Sequence, residues 1–206
     1  TVLNGGVGVF YQRTPLLVGA FQSFETRAIT VYDPLGAPLA RQVLAPRSEA
    51  LRTPHAVIWN AELNQRFGSR LQLRVNHLRR YGEHDFVVDP STDAGVLSLS
   101  SRGRTRYWEQ EFTGRYSWAA NREVSASYVR SATRTDLNAF DQYFGNFRNP
   151  VIRTDQYSVG GIDAPHRVIV RGQLGLPKQW EVWPVYEWRT GFPYSRINEL
   201  PQFVGT

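Results

Sequence analysis

The residues that could carry chemistry are spread along the chain and form no recognisable catalytic or metal-binding constellation. The four histidines occupy four different segments, as His55, His77, His84 and His166, without the i, i+4 spacing that presents two imidazoles to one metal ion. The sequence contains no cysteine, which excludes thiolate ligands, disulfides and cysteine nucleophiles. We therefore expect no metal site and no cofactor.

The remaining candidate motifs each have a simpler structural explanation. Glu109 and Glu111 lie two positions apart, so on a strand their carboxylates stand side by side, whereas a glycosidase pair must flank a bond. The run from Asp89 to Gly95 lacks the acidic spacing of a calcium loop, and the glycines of residues 5–8 are not followed by the Lys-Ser/Thr pair of a phosphate-binding loop. With no Gly-x-Ser-x-Gly elbow either, the sequence predicts that the protein is not an enzyme.

Strands are the elements that must position these residues, because apolar and polar side chains alternate with a period of two. From Tyr107 to Trp118 the even positions are mostly aromatic or glycine, and most odd ones are charged or carry a hydroxyl, as in a strand with two unlike faces. Similar patterns occur in the segments His55–Phe67, Arg167–Leu176 and Trp180–Thr190. We predict about eight strands and no amphipathic helix, with a bulge or an unpaired edge at Pro184 because proline cannot donate to a ladder.

The predicted connections alternate between short and long. Residues 67–70, 119–122 and 177–179 suit tight turns, whereas Tyr81–Arg104 and Ala132–His166 are long, polar and rich in turn-forming residues. Short turns on one side and long loops on the other are typical of bacterial outer-membrane barrels.

The composition also favours a transmembrane barrel. Aromatic residues make up 13% of the chain although the mean hydropathy is −0.41, and no apolar run is long enough for a spanning helix. Trp108 and Trp118 share a strand face and stand about 25 Å apart along the membrane normal at a tilt of about 40°, the height expected between two aromatic girdles. We therefore predict an all-β fold, an antiparallel transmembrane β-barrel segment.

In such a barrel one face of each strand meets lipid and the other lines a water-filled lumen. The convex, lipid-facing side is predicted to carry Trp59, Trp108, Phe112, Tyr116, Trp118, Val168, Val170 and Trp188. The concave, lumen-facing side is predicted to carry Asn60, Glu62, Glu109, Glu111, Arg115 and Arg171.

Several stretches resemble one family. The run Gly160–Arg167, reading GGIDAPHR, is followed by a strand, a Leu176–Pro177 turn and the run Trp188–Ser195, reading WRTGFPYS. This order resembles the D-x-P-H-R and R-[ST]-G-x-P-Y-[ST] stretches of Oar-like TonB-dependent transporters. Leu3–Tyr11 is similar to their R-G-G-x-G-x-F-Y strand, with Asn4 where arginine is commoner, and Leu51–Asn60 to their strand entry ending in Trp-Asn.

The resemblance implies that residues 1–206 are part of one transmembrane barrel domain: about eight strands of a larger barrel, forming an open curved sheet. It implies uptake of a bulky nutrient of unknown identity across the cell outer membrane, powered through TonB and a plug domain. We find no counterpart of the plug, the TonB box or the closing strand, and expect a fragment. Outer-membrane lipid and lipopolysaccharide would surround it.

Ligand contact, if present, is expected in the loop Arg134–Asp163. Exposed aromatic residues are costly unless they meet a ligand, lipopolysaccharide or another loop, so loop-on-loop packing is an equal alternative. The candidate contact residues are Phe140, Tyr143, Phe144, Phe147 and Arg148.

Two other classes of function fit parts of the pattern. A porin-like passive channel or a surface adhesin would use the same barrel. A soluble basic β-barrel that binds nucleic acid is suggested by the net charge of +6 and by arginines near aromatic residues. We expect no nucleic-acid partner, because the arginines are predicted to lie on the strand face opposite the aromatic residues.

Overall fold

The chain forms an all-β structure, as its alternating pattern predicts. A computed structural model describes residues 1–91, 95–140 and 154–194. The complete helical elements within these ranges are α1 (Leu16–Gly19) and short 3-10 turns at Phe21–Ser23 and Pro177–Gln179, and no helix in the described ranges is long and apolar enough to cross a membrane. The strands are β1 (Val2–Tyr11), β2 (Arg27–Tyr32), β3 (Pro38–Ser48), β4 (His55–Phe67), β5 (Leu71–Ser91), β6 (Val96–Ala119), β7 (Arg122–Asp136), β8 (Tyr157–Val159), β9 (His166–Gly175), β10 (Glu181–Val182) and β11 (Val185–Arg189).

The strands pair into one open sheet that is antiparallel except at a single contact. Its main order is β1-β4-β5-β6-β7-β9, and both β10 and β11 pair with β9 at the far edge. Within the described residues, the outer side of β1 has no partner strand. The open antiparallel sheet is as predicted, but the described residues contribute eleven strands to it instead of about eight, because pieces as short as β8 and β10 leave no period-two signal.

The sequence prediction was wrong for residues 81–104, which were expected to form a long polar loop. Instead β5 and β6 continue through this region as one long hairpin, from the Tyr81–Arg106 pair to the Ser91–Val96 pair. Two register shifts interrupt it, one of them around His84, whose φ is 62°. Each bulge inserts an unpaired residue and so destroys the alternation that would have revealed the strands.

A small apolar core lies at the hairpin end of the sheet, beyond these bulges. The hairpin β2–β3 joins this end through the parallel pairing of β3 with β6, from Ala45–Val96 to Ser48–Leu99. The buried cluster consists of Val18, Phe21, Leu44, Phe86, Val88, Leu97, Leu99 and Phe140. The tip of the β5–β6 hairpin is therefore packed against α1 and the β2–β3 hairpin. We call this packed region the end-structure.

The tight turns lie at the opposite end of the sheet, where they were predicted. Gly68 has a φ of 59°, which glycine adopts without strain. The strand after residues 177–179 breaks between β10 and β11, at Pro184, whose carbonyl oxygen accepts a hydrogen bond from the Gly172 N–H at 2.9 Å. The expected local interruption at Pro184 is therefore confirmed.

Candidate functional site

The pairing register divides the sheet into two chemically different faces. Side chains of directly paired residues on neighbouring strands point to the same side, and alternate positions point to opposite sides. We call one side the tryptophan face, since it includes Trp59, Trp108 and Trp188. The other is the glutamate face, which includes Glu62 and Glu111.

An unbroken apolar row crosses the tryptophan face. Phe112, in the middle of this row, is 46% exposed, and Leu3 at one end is 75% exposed. The row follows direct pairs through seven strands: Leu3, Leu63, Val75, Phe112, Tyr128, Val168 and Trp188. No second sheet covers these side chains among the described residues.

Further rows extend this apolar surface towards the tight turns. The next row pairs Leu73, Gly114, Ala126, Val170 and Tyr186, with Gln65 as its polar exception. The row after it contains Phe67, Leu71, Tyr116, Val124 and Gly172. The Trp118 ring stacks on Tyr116 with centroids 6.1 Å apart. These three rows, which we call the apolar band, form an exposed patch of a kind that usually marks a membrane or protein interface.

The glutamate face carries all six residues predicted to face a lumen. Asn60 and Glu109 both pair with Leu78, and Glu62 and Glu111 both pair with Asn76. Further towards the turns, Arg115 and Arg171 both pair with Ser125. The structure thus puts Asn60, Glu62, Glu109, Glu111, Arg115 and Arg171 on a single side of the sheet.

Polar contacts join neighbouring strands across the glutamate face. Arg74 lies 2.9 Å from the Glu111 carboxylate and 4.0 Å from that of Glu62. The hydroxyls of Thr113 and Ser127 donate to Glu111 at 2.9 and 3.0 Å. These contacts link β4 to β7 and partner Arg74 with two carboxylates of this face.

The two faces also differ in exposure. Along β7 every glutamate-face position from Glu123 to Thr135 is half-buried, whereas Ala126, Arg130 and Arg134 on the tryptophan face are exposed. The tryptophan-face positions Val124, Tyr128 and Ala132 are also half-buried, so along β7 the glutamate face is the more uniformly covered of the two.

Beyond the apolar band, towards the long hairpin, the tryptophan face becomes basic. We call its five arginines, Arg79, Arg104, Arg106, Arg130 and Arg134, the arginine belt; each shares this face through direct pairs such as Arg79–Trp108 and Arg106–Arg134. The Arg130 guanidinium lies 5.9 Å from the Trp108 ring centroid. Those of Arg104 and Arg134 lie 4.3 and 5.4 Å from the centre of the Tyr157 ring.

The arginine belt was missed in the sequence, and it corrects one expectation. The arginines were expected on the strand face opposite the aromatic residues, but these five share the face of Trp59 and Trp108. Part of the signal was present, because positions 104 and 106 have the same parity as Trp108 within β6; the face of Arg130 and Arg134 follows only from the register of β7 against β6. The belt also limits the height of the apolar band: its three rows, from Phe112 to Tyr116 on β6, span about 10 Å along the membrane normal at a tilt of about 40°, and about 15 Å with Trp118 included, less than the predicted 25 Å.

The predicted ligand loop is only partly described. Phe140 lies in the buried cluster, with its ring centroid 6.3 Å from that of Phe21. At Phe140 the aromatic residue therefore packs on another segment of the same chain. The other candidates, Tyr143, Phe144, Phe147 and Arg148, lie outside the described residues.

His55, His77 and His166 lie on the tryptophan face by their strand pairing, and all four histidines contact another ring. The His77 ring lies 5.1 Å from Trp59, and His166 Nδ1 is 2.7 Å from the Tyr128 hydroxyl. His55 and His84 approach each other to 5.2 Å between ring centroids. In the part of the chain that the structure describes, no group of three or more His, Asp or Glu residues is arranged to hold a metal ion.

A polar cleft of about 760 Å³ lies beside the apolar core at the hairpin end. Three of its charged groups have partners in the wall: Arg102 pairs with Asp89, and the Ser98 hydroxyl donates to Glu49 at 2.9 Å. The Ser100 hydroxyl in its wall is buried without a hydrogen-bond partner.

The residues that carry the family resemblance hold strand ends together. The Asp163 carboxylate accepts a hydrogen bond from the Thr133 N–H at 2.8 Å, and the Thr190 N–H donates to the His166 carbonyl at 3.0 Å. No family model matches this chain. Among characterised proteins, none is significantly similar to it. The resemblance to TonB-dependent transporters therefore rests on the motifs themselves.

Proposed function

We propose that residues 1–206 are part of a transmembrane β-barrel in a bacterial outer membrane, with the tryptophan face towards lipid and the glutamate face towards a water-filled lumen. The apolar row through seven strands is the observation that carries this proposal. In a soluble sandwich a second sheet would cover such a row, and the opposite face would meet bulk water. In a barrel the same row meets acyl chains.

The free outer edge of β1 supports a larger assembly. Unpaired strand edges cannot be exposed within a bilayer, because their N–H and C=O groups would have no partners there. The proposed barrel therefore closes through further strands, beyond those described, that pair with β1 and with the opposite edge. A plugged transporter barrel has many more strands than a small closed one.

Among membrane barrels, we propose a TonB-dependent transporter that takes up a bulky nutrient. The motifs at residues 160–167 and 188–195 favour this class over a porin-like channel or an adhesin, which would use the same lipid-facing surface. Energy coupling would then depend on a plug domain and TonB as partners. The arginine belt revives the nucleic-acid alternative, but the exposed apolar band beside it suits lipid better than a water-soluble polyanion.

Quenching of tryptophan fluorescence tests membrane insertion. Variants that retain only Trp108 or only Trp118, with the other tryptophans changed to Phe, would be reconstituted in phosphatidylcholine vesicles. We expect lipids brominated near the headgroup to quench both variants more than lipids brominated at the chain end, because both rings would lie at interfaces. Free quenching by aqueous acrylamide, with no quenching by brominated lipid, would overturn the membrane assignment.

A further inference from the structure

The arginine belt lies on the proposed lipid-facing side, directly beyond the apolar band. We propose that it binds the phosphate groups of lipopolysaccharide, whose acyl chains lie against the apolar band. This inference rests on the proposed membrane insertion, since the belt meets a lipid headgroup only in a bilayer.

The belt has more positive charge than its own neighbours neutralise. Arg106 is paired with Glu83 at 2.8 Å, but within the described ranges Arg79, Arg130 and Arg134 have no carboxylate within ion-pair distance. On the glutamate face Arg74 and Arg115 each contact a carboxylate, while Arg80 and Arg171 have none within that distance among the described residues. The belt is distinguished by lying on the proposed lipid-facing side. The unpaired guanidinium groups on the tryptophan face are therefore available to an external anion.

The chemistry of these side chains suits a phosphate. A guanidinium presents parallel N–H donors to phosphate oxygens, which favours bidentate binding. Arg130 is held over the Trp108 ring and Arg134 over the Tyr157 ring, so aromatic contacts limit the freedom of both groups before a ligand binds. Less entropy is then lost when a phosphate is bound.

The position of the belt beside the apolar band indicates that its ligand is amphiphilic, with both a phosphate group and acyl chains. Arg130 lies two residues from Tyr128 of the apolar row, or about 7 Å along the strand. Its guanidinium therefore stands where phosphates meet acyl chains, and long side chains can extend towards that level. A free anion could use the arginines but would gain nothing from the apolar band.

The position of the belt at one end of the sheet indicates which leaflet of the membrane it would contact. The belt lies towards the long β5–β6 hairpin and away from the tight turns at residues 68–70 and 120–121. In outer-membrane barrels short turns are periplasmic and long connections are extracellular. The belt would therefore be level with the outer leaflet, which in such membranes consists of phosphorylated, multiply acylated lipid.

The test compares two matched triple variants of the complete chain in phosphatidylcholine vesicles, with and without diphosphorylated lipid A. The belt variant is Arg79→Gln/Arg130→Gln/Arg134→Gln. The control, Arg13→Gln/Arg52→Gln/Arg70→Gln, removes the same charge from exposed positions outside the belt. We expect fluorescent lipid A to bind the wild type and the control equally and the belt variant about tenfold more weakly or worse.

The outcomes separate this inference from the proposed function. If the wild-type tryptophans are quenched by brominated lipid but dephosphorylated lipid A binds as well as the diphosphorylated form, the inference is overturned and membrane insertion stands. Equal loss of binding in both triple variants would also overturn it, because net charge alone would then explain binding.

Competition by inorganic pyrophosphate or a single-stranded oligonucleotide as strong as that by lipid A would overturn the choice of an amphiphile. If no tryptophan is quenched by lipid, the membrane assignment itself fails.

Discussion

Adjacent side chains on β6 meet different surroundings in this structure. Phe112 is an exposed member of the apolar row, whereas the Thr113 hydroxyl donates to Glu111 on the other side of the sheet. Pairs of this kind allow stability tests in which only the face of the sheet is changed.

Replacement of Phe112 by Arg should destabilise a membrane-embedded barrel by about 2 to 4 kcal/mol, because a guanidinium near the middle of the bilayer is poorly solvated. Thr113→Arg should cost far less, since water reaches that face and Glu111 can accept a hydrogen bond. Denaturant midpoints of both variants refolded into lipid vesicles would measure the difference. Equal losses, or a larger loss at Thr113, would mean that the faces are reversed or that no bilayer surrounds the sheet.

Asp136, at the end of β7 outside the proposed membrane band, should make the contact with β8 depend on pH. Burial raises the pKa of the Asp136 carboxyl and the nearby Asp155 raises it further, while the Arg104 N–H opposes both effects. A raised folded-state pKa means that protonation favours the folded contact, so its stabilisation is complete below the ordinary aspartate pKa and is lost as pH rises through the raised value.

Hydrogen exchange of the β8 amides, corrected for the intrinsic rate, would measure this effect. Protection should fall as pH rises through that window in the wild type and should stay constant in Asp136→Asn, which imitates the protonated form. A wild-type profile as flat as that of Asp136→Asn would show that the carboxyl does not control this contact.

Among the elements, the sequence predicts regular two-faced strands well and bulged strands poorly. The bounds of β4, His55–Phe67, were predicted without error, because most of its apolar residues lie at odd positions, with Ile58 and Gln65 as the main exceptions. Residues 81–104 were predicted as a loop, because their strands change register twice and then bury apolar side chains such as Val88 and Leu99 in the end-structure. Such burial depends on tertiary contacts with α1 and β3, which no local pattern reveals.

The bulged hairpin has a steric requirement at Gly103. A Cβ added there would lie 2.6 Å from the Asp85 carbonyl oxygen and 2.5 Å from Val87, so the strands would have to separate. We expect Gly103→Ala to destabilise the protein by about 1 to 3 kcal/mol. Gly161→Ala is the matched control, because its added methyl meets no atom within 4 Å. Thermal unfolding monitored by circular dichroism should separate the two variants, and equal midpoints would contradict the requirement for glycine at 103.

For the whole molecule, the sequence predicted which polar residues share one face of the sheet, because this follows from their parity; that this face lines a lumen stays a prediction. The six polar residues from Asn60 to Arg171 share one face because each keeps its parity within a regular strand. The arginine belt could not be recognised in the same way, because strand register determines which arginines of different strands come together. The register between two strands depends on how they pair in the sheet, which the pattern within a single strand does not show.

The central claim is that lipid covers the tryptophan face and water reaches the glutamate face. Since the chain has no native cysteine, single cysteines introduced at each position from 107 to 118 can be labelled without background by a water-soluble maleimide in vesicles. Labelling should alternate with a period of two: high at odd positions such as 111, 113 and 115, and low at 112, 114 and 116, rising only after the bilayer is dissolved and the protein unfolded. Uniform labelling along the strand, or an alternation of the opposite phase, would contradict the account.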